Sequence, residues 1–384
     1  MRKMDSGIKL LTASTAVRWF GWGLGETFIP VFLLLFSGTS FFVTGLLASV
    51  YYVVFFLFIP FAGTFADNYK AKYLILFGLF IFVFIGLGYF FAGVSQMIIF
   101  LIIARGLTGI ADSLDQTGRE AYFIRHSSKK KESEVFGYLD KIAIFWWVIA
   151  VLIGLFLINY VEIHWLLLAI VPTSLISFFM MLGLKEKAIK KKKMGNPYSK
   201  MFREIRGFNK NLRKLSVMVF FFGGMSATIY YFVPAVTYSR GGSLVGSAVL
   251  ILVFFIPSLF GEAIGKFADK LRYKGYYICL CSLVLVLLIL AFSSNYYFLL
   301  FSMFFVGITY ELSKLTNVGF MARNSDFKEI GEIDSALNGV KAMGSIFGPI
   351  LFGLLLSLYT PMSSYLIVIV IVLFMFVFVY RNRK

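Results

Sequence analysis

The chain has 384 residues, of which 59% are hydrophobic, 19% aromatic and only 15% charged, with a formal net charge of +18. Such fractions lie far from those of a soluble globular domain, and a bilayer is the natural solvent for them. The two cysteines, Cys279 and Cys281, share one apolar run and the two histidines, His126 and His164, fit no nucleophile–base or metal spacing, so neither enzymatic chemistry nor a cofactor is expected.

A helix crosses about 30 Å of hydrocarbon with roughly 20 apolar residues, and twelve blocks of that kind follow one another along the chain. The first, Leu10 to Phe36, is too long for a signal-peptide core and ends without a small-residue cleavage site, so it is expected to stay as the first span. Spans two to six are predicted near 41–62, 73–92, 96–119, 136–158 and 163–184. Lys185 to Lys214 opens with KEKAIKKKK, which divides the chain into a bundle at 1–184, a basic linker at 185–213 and a bundle at 214–384. In the linker Tyr198, Met201, Ile205, Phe208 and Leu212 recur at steps of three and four. That stretch reads either as a basic amphipathic helix on the inner leaflet or as a solvated tether. Spans seven to twelve fall near 214–237, 243–264, 276–293, 296–319, 334–357 and 362–380. The predicted fold class is all-α: twelve transmembrane helices in two pseudo-symmetric six-helix bundles.

An even number of spans puts both termini on one side. The termini and the loops sharing their side carry about 31 Lys and Arg, whereas the opposite loops carry only Arg240, so both termini are expected in the cytoplasm of a cell-membrane protein. This asymmetry accounts for the basic charge without a nucleic-acid partner, which would need its cations on one face of a soluble core.

The halves repeat. The loop after the second span reads GTFADNYKAK and that after the eighth GKFADKLRYK, matching Gly63, Phe65, Ala66, Asp67 and Lys72 to Gly265, Phe267, Ala268, Asp269 and Lys274 at one offset (265 − 63 = 202), with Lys70 opposite Arg272. More faintly, Gly109, Leu114 and Arg125 echo Gly307, Leu312 and Arg323. The G-x-x-x-D pattern followed by basic residues, at these two places, resembles the signature of the major facilitator superfamily. That resemblance implies a secondary transporter, a monomer working by alternating access, in which these loops latch the cytoplasmic gate. Gly63 and Gly265 would permit close helix approach, and Asp67 and Asp269 would cap a helix or pair with a cation. In span eleven, GSIFGPILFG resembles the glycine–proline pattern that the family's proton antiporters carry on the fifth span; it serves antiport or simply tight packing with a kink.

Charges near the bilayer centre are costly enough to demand a partner, water or a function. With span one centred near Gly21 to Gly23, Glu26 lies roughly 6 Å outward and Arg18 roughly 6 Å inward. Span four runs the other way, placing Arg105 outward and Asp112 inward, so two cross-pairs are expected: Glu26 with Arg105, and Arg18 with Asp112. Arg105-Gly-Leu-Thr-Gly109 resembles an R-x-x-x-G stretch that recurs near coupling sites in the family. Glu26 with Arg105 therefore reads as a proton-coupling carboxylate with its modulator, as a structural ion pair, or as a site for a charged substrate. Asp115, Arg119, Glu120, Asp140 and Lys141 read as gate salt bridges; Glu311, Lys314 and Lys341 are expected to neutralise one another.

The resemblance places spans one, four, seven and ten around the substrate cavity, where Arg18, Trp19, Trp22, Asp112, Tyr230, Tyr231, Tyr310, Glu311 and Asn317 would stand. Aromatic faces with few fixed donors suit amphipathic molecules. The leading expectation is proton-coupled export of amphipathic or hydrophobic small molecules. Uptake of a small metabolite, movement of a lipid-like substrate and a non-transporting receptor or scaffold are the alternatives.

Overall fold

The structure is a computed structural model. It describes residues 6–126, 132–186, 195–271, 274–293, 295–324 and 330–381, with backbone only at 124, 126, 132–140, 318–324 and 330–335.

In hydrocarbon a backbone N–H or C=O has no water to bond, so helices that satisfy these groups within themselves are the natural spanning elements. Helical chain meets each of the twelve predicted spans, and no strand occurs among the described residues. The first half holds Ser6–Glu26 with Ile29–Phe36 as span one, then Phe41–Asn68, Ala71–Ser95, Ile98–His126, Glu132–Leu157 and Ile163–Leu182. The second half holds Lys210–Ser239, Leu244–Leu271, Lys274–Phe292, Tyr296–Asn324, Ile330–Leu358 and Pro361–Arg381. Among the described residues nine of these helices are long and apolar enough to cross a membrane, and the two segments of span one, bent by 45°, count together as a tenth. The linker forms a helix over Pro197–Gly207.

Two interruptions have readable causes. Span one breaks after Glu26 because Pro30 has no N–H for the Glu26 carbonyl four residues back, and its ring crowds that carbonyl. Span eight tightens into a short 3₁₀ turn over Ile256–Phe260, with Pro257 at its start.

The chain divides into two compact units, Met1–Ile29 with Val50–Arg206, and Pro30–Ser49 with Gly207–Lys384. In the first, span one packs along spans five and six, and span three along spans four and six. In the second, span seven packs along span eleven, and span nine along spans ten and twelve. Three pairings thus recur six spans on: one with five and seven with eleven, three with four and nine with ten, three with six and nine with twelve. The sequence repeat is a repeat of packing.

Lipid tails are as apolar as leucine, so helices adhere through close backbone approach at small residues. In the first unit a Cβ on Gly154 would overlap the Leu24 carbonyl, and one on Gly23 would stand 2.8 Å from the Trp147 carbonyl oxygen. The matching contact of the second unit has Gly344 against the Phe220 carbonyl and Gly348 against that of Gly224. GSIFGPILFG is therefore a packing surface. Its C-terminal part receives residues 41–49: Gly45 lies on the Pro349 carbonyl, Gly353 on that of Phe41, Ser49 Oγ donates to the Ile346 carbonyl at 2.9 Å, and Ser357 Oγ accepts from the Phe42 amide at 3.1 Å.

Gly344→Leu is expected to destabilise the protein by about 1–3 kcal/mol, read as a lowered thermal midpoint of the purified chain in detergent. Gly106→Ala, whose new methyl would meet only Val54 at 3.8 Å, should leave the midpoint unchanged or slightly raised. Equal midpoints for Gly344→Leu and wild type would contradict the close approach of spans seven and eleven.

Candidate functional site

Span four carries Asp112, Asp115 and Arg119 at steps of three and four, on one face. Arg18 of span one meets that face. Its Nη1 lies 3.3 Å from Asp112 Oδ1 and its Nε 3.3 Å from Asp115 Oδ2. Arg119 Nε donates to both Asp115 oxygens at 2.9 and 2.8 Å, while its Nη1 donates to Thr15 Oγ1 at 2.7 Å and its Nη2 to Ser14 Oγ at 3.3 Å. Two arginines and two carboxylates make a neutral set, and hydroxyls complete the guanidinium's donors. That completion matters, because the Asp115 side chain is wholly buried and a buried charge is tolerated only with several partners. Gly78 of span three makes room for it; a Cβ there would stand 2.9 Å from that of Asp115. The Arg18 guanidinium also lies 5.2 Å from the Trp19 ring centroid and 5.0 Å from that of Phe82.

Arg18 and Asp112 thus come together as the depth argument expects, and two of the residues read as gate charges, Asp115 and Arg119, join them. Glu120 accepts from Gln116 Nε2 at 3.0 Å, Lys141 is exposed, and the Asp140 side chain lies outside the described residues.

Glu26 ends the first segment of span one, and its carboxylate is half-buried, accepting a hydrogen bond from Trp147 Nε1 of span five at 2.6 Å. Next to it the buried Thr27 hydroxyl finds no hydrogen-bond partner among the described residues. Trp22, one turn earlier, packs edge-on against Phe82 with centroids 6.0 Å apart. Arg105 is buried with its guanidinium 5.1 Å from the Tyr51 ring centroid. One turn on, Gly109 lets span two come close, since a Cβ there would lie 2.6 Å from the Tyr51 carbonyl oxygen. The structure thus seats Glu26 on an indole and Arg105 on a phenol ring.

In the second unit Glu311 is buried, accepts from Ser258 Oγ at 3.0 Å and lies 3.8 Å from Lys314 Nζ, the expected pair. Lys341 goes to the Tyr310 ring, 5.8 Å from its centroid. Tyr230 is part-exposed and meets Tyr231 and Phe255 edge-on at 4.8 and 6.2 Å, whereas Tyr231 is buried. Asn317 Oδ1 accepts from Tyr276 OH of span nine at 2.7 Å, which engages its amide in packing.

On the face of the basic loops, Asp67 pairs with Lys200 of the linker helix at 3.3 Å. Tyr198 of that helix donates to the Leu57 carbonyl at 2.9 Å, so the linker helix lies along the end of span two. Lys70 precedes span three in extended backbone, and Lys72 Nζ donates to the Leu182 carbonyl at 2.5 Å. Glu186 gathers this end of the bundle, accepting from the Lys72 amide at 3.1 Å and from Arg125 Nη1 at 3.0 Å; Arg125 also donates to the Ala66 carbonyl. Gly63 lies half-buried in span two, and Gly265 and Asp269 lie in span eight. A Cβ on Gly265 would meet Leu315 at an ordinary 3.7 Å, so close approach does not require glycine there, contrary to expectation. Lys274 opens span nine; Arg272 lies outside the described residues.

Trp147, Thr27, Glu186 and Lys200 are partners that the sequence reading did not single out. The doubled tryptophan in FWWV and the lone acid in KEKAIKKKK were the available signals.

Apolar helices paired in duplicate, with charges buried between them, define a polytopic membrane protein. The chain belongs to the Major Facilitator Superfamily, whose sequence model matches residues 11–263 and again 215–384. No curated protein matches it by sequence. Its fold is similar to the crystal structure of the nucleoside transporter NupG, with a TM-score of 0.76 at 14% identity over 98% of this chain and 99% of that one. The human organic anion transporter MFSD10 (TETRAN) gives 0.71 at 12% identity over 98% and 100%. A bacterial homolog to the human lysosomal transporter Spinster, inward-facing and unoccupied, gives 0.67 at 16% identity over 92% and 82%.

Replacing Asp115 by Ala strands two arginines and is expected to cost about 3–5 kcal/mol, read as a large drop in thermal midpoint or in yield of folded protein. Asp112→Asn should cost clearly less, because Arg18 keeps Asp115 and the Asp112 side chain is 24% exposed. Equal losses would show that the four charges do not act in this order.

Proposed function

We propose that the protein is a secondary active transporter of the cytoplasmic membrane, with both termini inside, that exports amphipathic small molecules by alternating access in exchange for protons. The observation that carries the coupling is the position of Glu26. It is a half-buried carboxylate at a break in a membrane-spanning helix, accepting from indole N–H groups of Trp147 and Trp22 and bordered by a buried hydroxyl. Broken spans are where transporter backbones leave polar groups open to ions and substrate. A carboxylate reachable by water yet set in apolar surroundings can take up a proton on one side and release it on the other as access alternates.

Proton uptake at Glu26 changes the charge one turn from Trp22, and the Arg18–Asp112 pair lies farther inward on the same two spans. Arg105, covering Tyr51, acts as the modulator of that field. The aromatic faces of Trp22, Tyr230 and Tyr310 support an amphipathic substrate, since such surfaces bind by area and cation–π contact. The loops around Asp67, Lys72 and Glu186 serve as the inner gate: their ion pairs and main-chain bonds tie spans two, three, four and six together at one end. A second reading, uptake of a small polar metabolite, draws on the Arg18–Asp112 pair, whose part-exposed charges offer fixed hydrogen-bonding groups.

In proteoliposomes Glu26→Gln is expected to abolish proton-driven uphill transport while leaving substrate exchange at equal pH. Uphill transport retained with an unchanged pH profile would sink the coupling role. Trp147→Phe keeps the carboxylate but removes one of its donors, and should retain coupling with a displaced pH profile. Direction is read in a host expressing the protein: reduced accumulation of amphipathic cations supports export, whereas enhanced accumulation of polar metabolites with no protection against any amphiphile replaces it by uptake.

A further inference from the structure

Lys210, Arg213 and Lys214 crowd the first turns of span seven, whose N-terminus Asn209 caps by accepting the Leu212 amide at 2.9 Å. With Phe208, Val217 and Phe378 they line a cavity of about 470 Å³. Three features mark the surroundings of these charges. A helix N-terminus carries the positive end of the macrodipole and disfavours cations. Lys210 and Lys214 are one turn apart and repel. Lys214 is covered by its neighbours to 7% exposure, which costs it hydration. Arg213 is held in place, its Nε donating to the Phe208 carbonyl at 2.9 Å.

The positive-inside bias does not explain this arrangement. It is satisfied by cations anywhere along a loop and asks neither for a cavity nor for a covered lysine. The remaining walls, Val217 and Phe378, are apolar, and Val217 is 39% exposed. Phe378 belongs to the last turns of span twelve, so the cavity sits at the membrane face that carries the basic loops, where head groups lie. Three cations beside an apolar wall at that depth are complementary to an amphiphile with an anionic head and acyl tails.

We propose that this cavity binds the phosphate head group of an anionic phospholipid, with Lys210, Arg213 and Lys214 on the phosphate and Val217 and Phe378 along the first part of the tails. The inference is independent of the coupling role of Glu26.

The full chain, purified into nanodiscs of phosphatidylcholine with a varied share of phosphatidylglycerol, is examined by native mass spectrometry for retained lipid. Wild type is expected to retain phosphatidylglycerol in preference to phosphatidylcholine. The combined Lys210→Gln, Arg213→Gln, Lys214→Gln variant should weaken that preference roughly 100-fold, at about tenfold or less per cation. Lys270→Gln, an exposed cation on the same face, should leave it unchanged. If the triple variant does not fold, Lys214→Gln alone and the wild-type thermal midpoint carry the test. Short-chain phosphatidylglycerol should raise that midpoint, and inorganic phosphate at equal concentration should not. An equal rise with inorganic phosphate overturns the lipid assignment. No preference in wild type, or a preference that survives loss of the cations, overturns the site.

Discussion

Apolar solvent on all sides is the constraint from which the rest of this structure follows. It forces the backbone into helices and removes the hydrophobic drive that would hold those helices together in water. Cohesion then has to come from close backbone approach and from polar groups too costly to leave in lipid. Span one uses both. Gly21, Gly23 and Gly25 bring it against Thr173, the Trp147 carbonyl and Leu167, while Arg18 and Ser14 reach the charged face of span four. The glycines fix the distance at which the charges meet. A larger residue at Gly23 would push span five away and take Trp147 off Glu26.

The same packing scheme carries different chemistry in the two halves. Spans one with five and seven with eleven meet through glycine on carbonyl, as a duplicated bundle should. Yet the first unit buries arginines against aspartates, whereas span ten of the second sets Glu311 between a serine and a lysine and offers its Tyr310 ring to Lys341 of span eleven. Fold constrains where helices touch and leaves open which side chains fill the remaining sites. The shared scaffold thus carries a buried arginine–aspartate set in one unit and a serine–glutamate–lysine set in the other.

This division also explains how far the sequence could be read. Span positions were legible because hydropathy reports directly on solvent, and the Arg18–Asp112 contact was legible because a fixed rise per residue turns sequence position into depth. Asp115 and Arg119 joined it by helical arithmetic, lying three and seven residues beyond Asp112. The Glu26–Trp147 bond was not legible. It depends on the rotation of span five about its axis, and in KIAIFWWVIAVLIG both lipid and protein faces are apolar, so no periodicity marks which tryptophan turns inward. Glu186 was obscured for the opposite reason: among so many lysines its acid reads as one more linker charge, and only folding brings Arg125 and the Lys72 amide to it.

The course of the chain gives the break after Glu26 a further meaning. The described chain passes between its compact units at Ile29 to Pro30, inside the continuous second span at Ser49 to Val50, and in the linker at Arg206 to Gly207. These passages are the points at which the chain joins the two units. The second lies within a regular helix, and the third falls at the end of the linker helix, just before span seven begins at Lys210. The first lies beside Pro30, which supplies no N–H to the helix, and beside the buried Thr27 hydroxyl, which finds no partner among the described residues, so bending there breaks few bonds. Of the three passages it alone has an acidic side chain at membrane depth. Under the proposed coupling role, a change in the charge of Glu26 would act within this passage, and bending there would in turn alter the path of water to the carboxylate. Proton and conformation would be linked through one short segment, Glu26 to Pro30, rather than through a relay across the bundle.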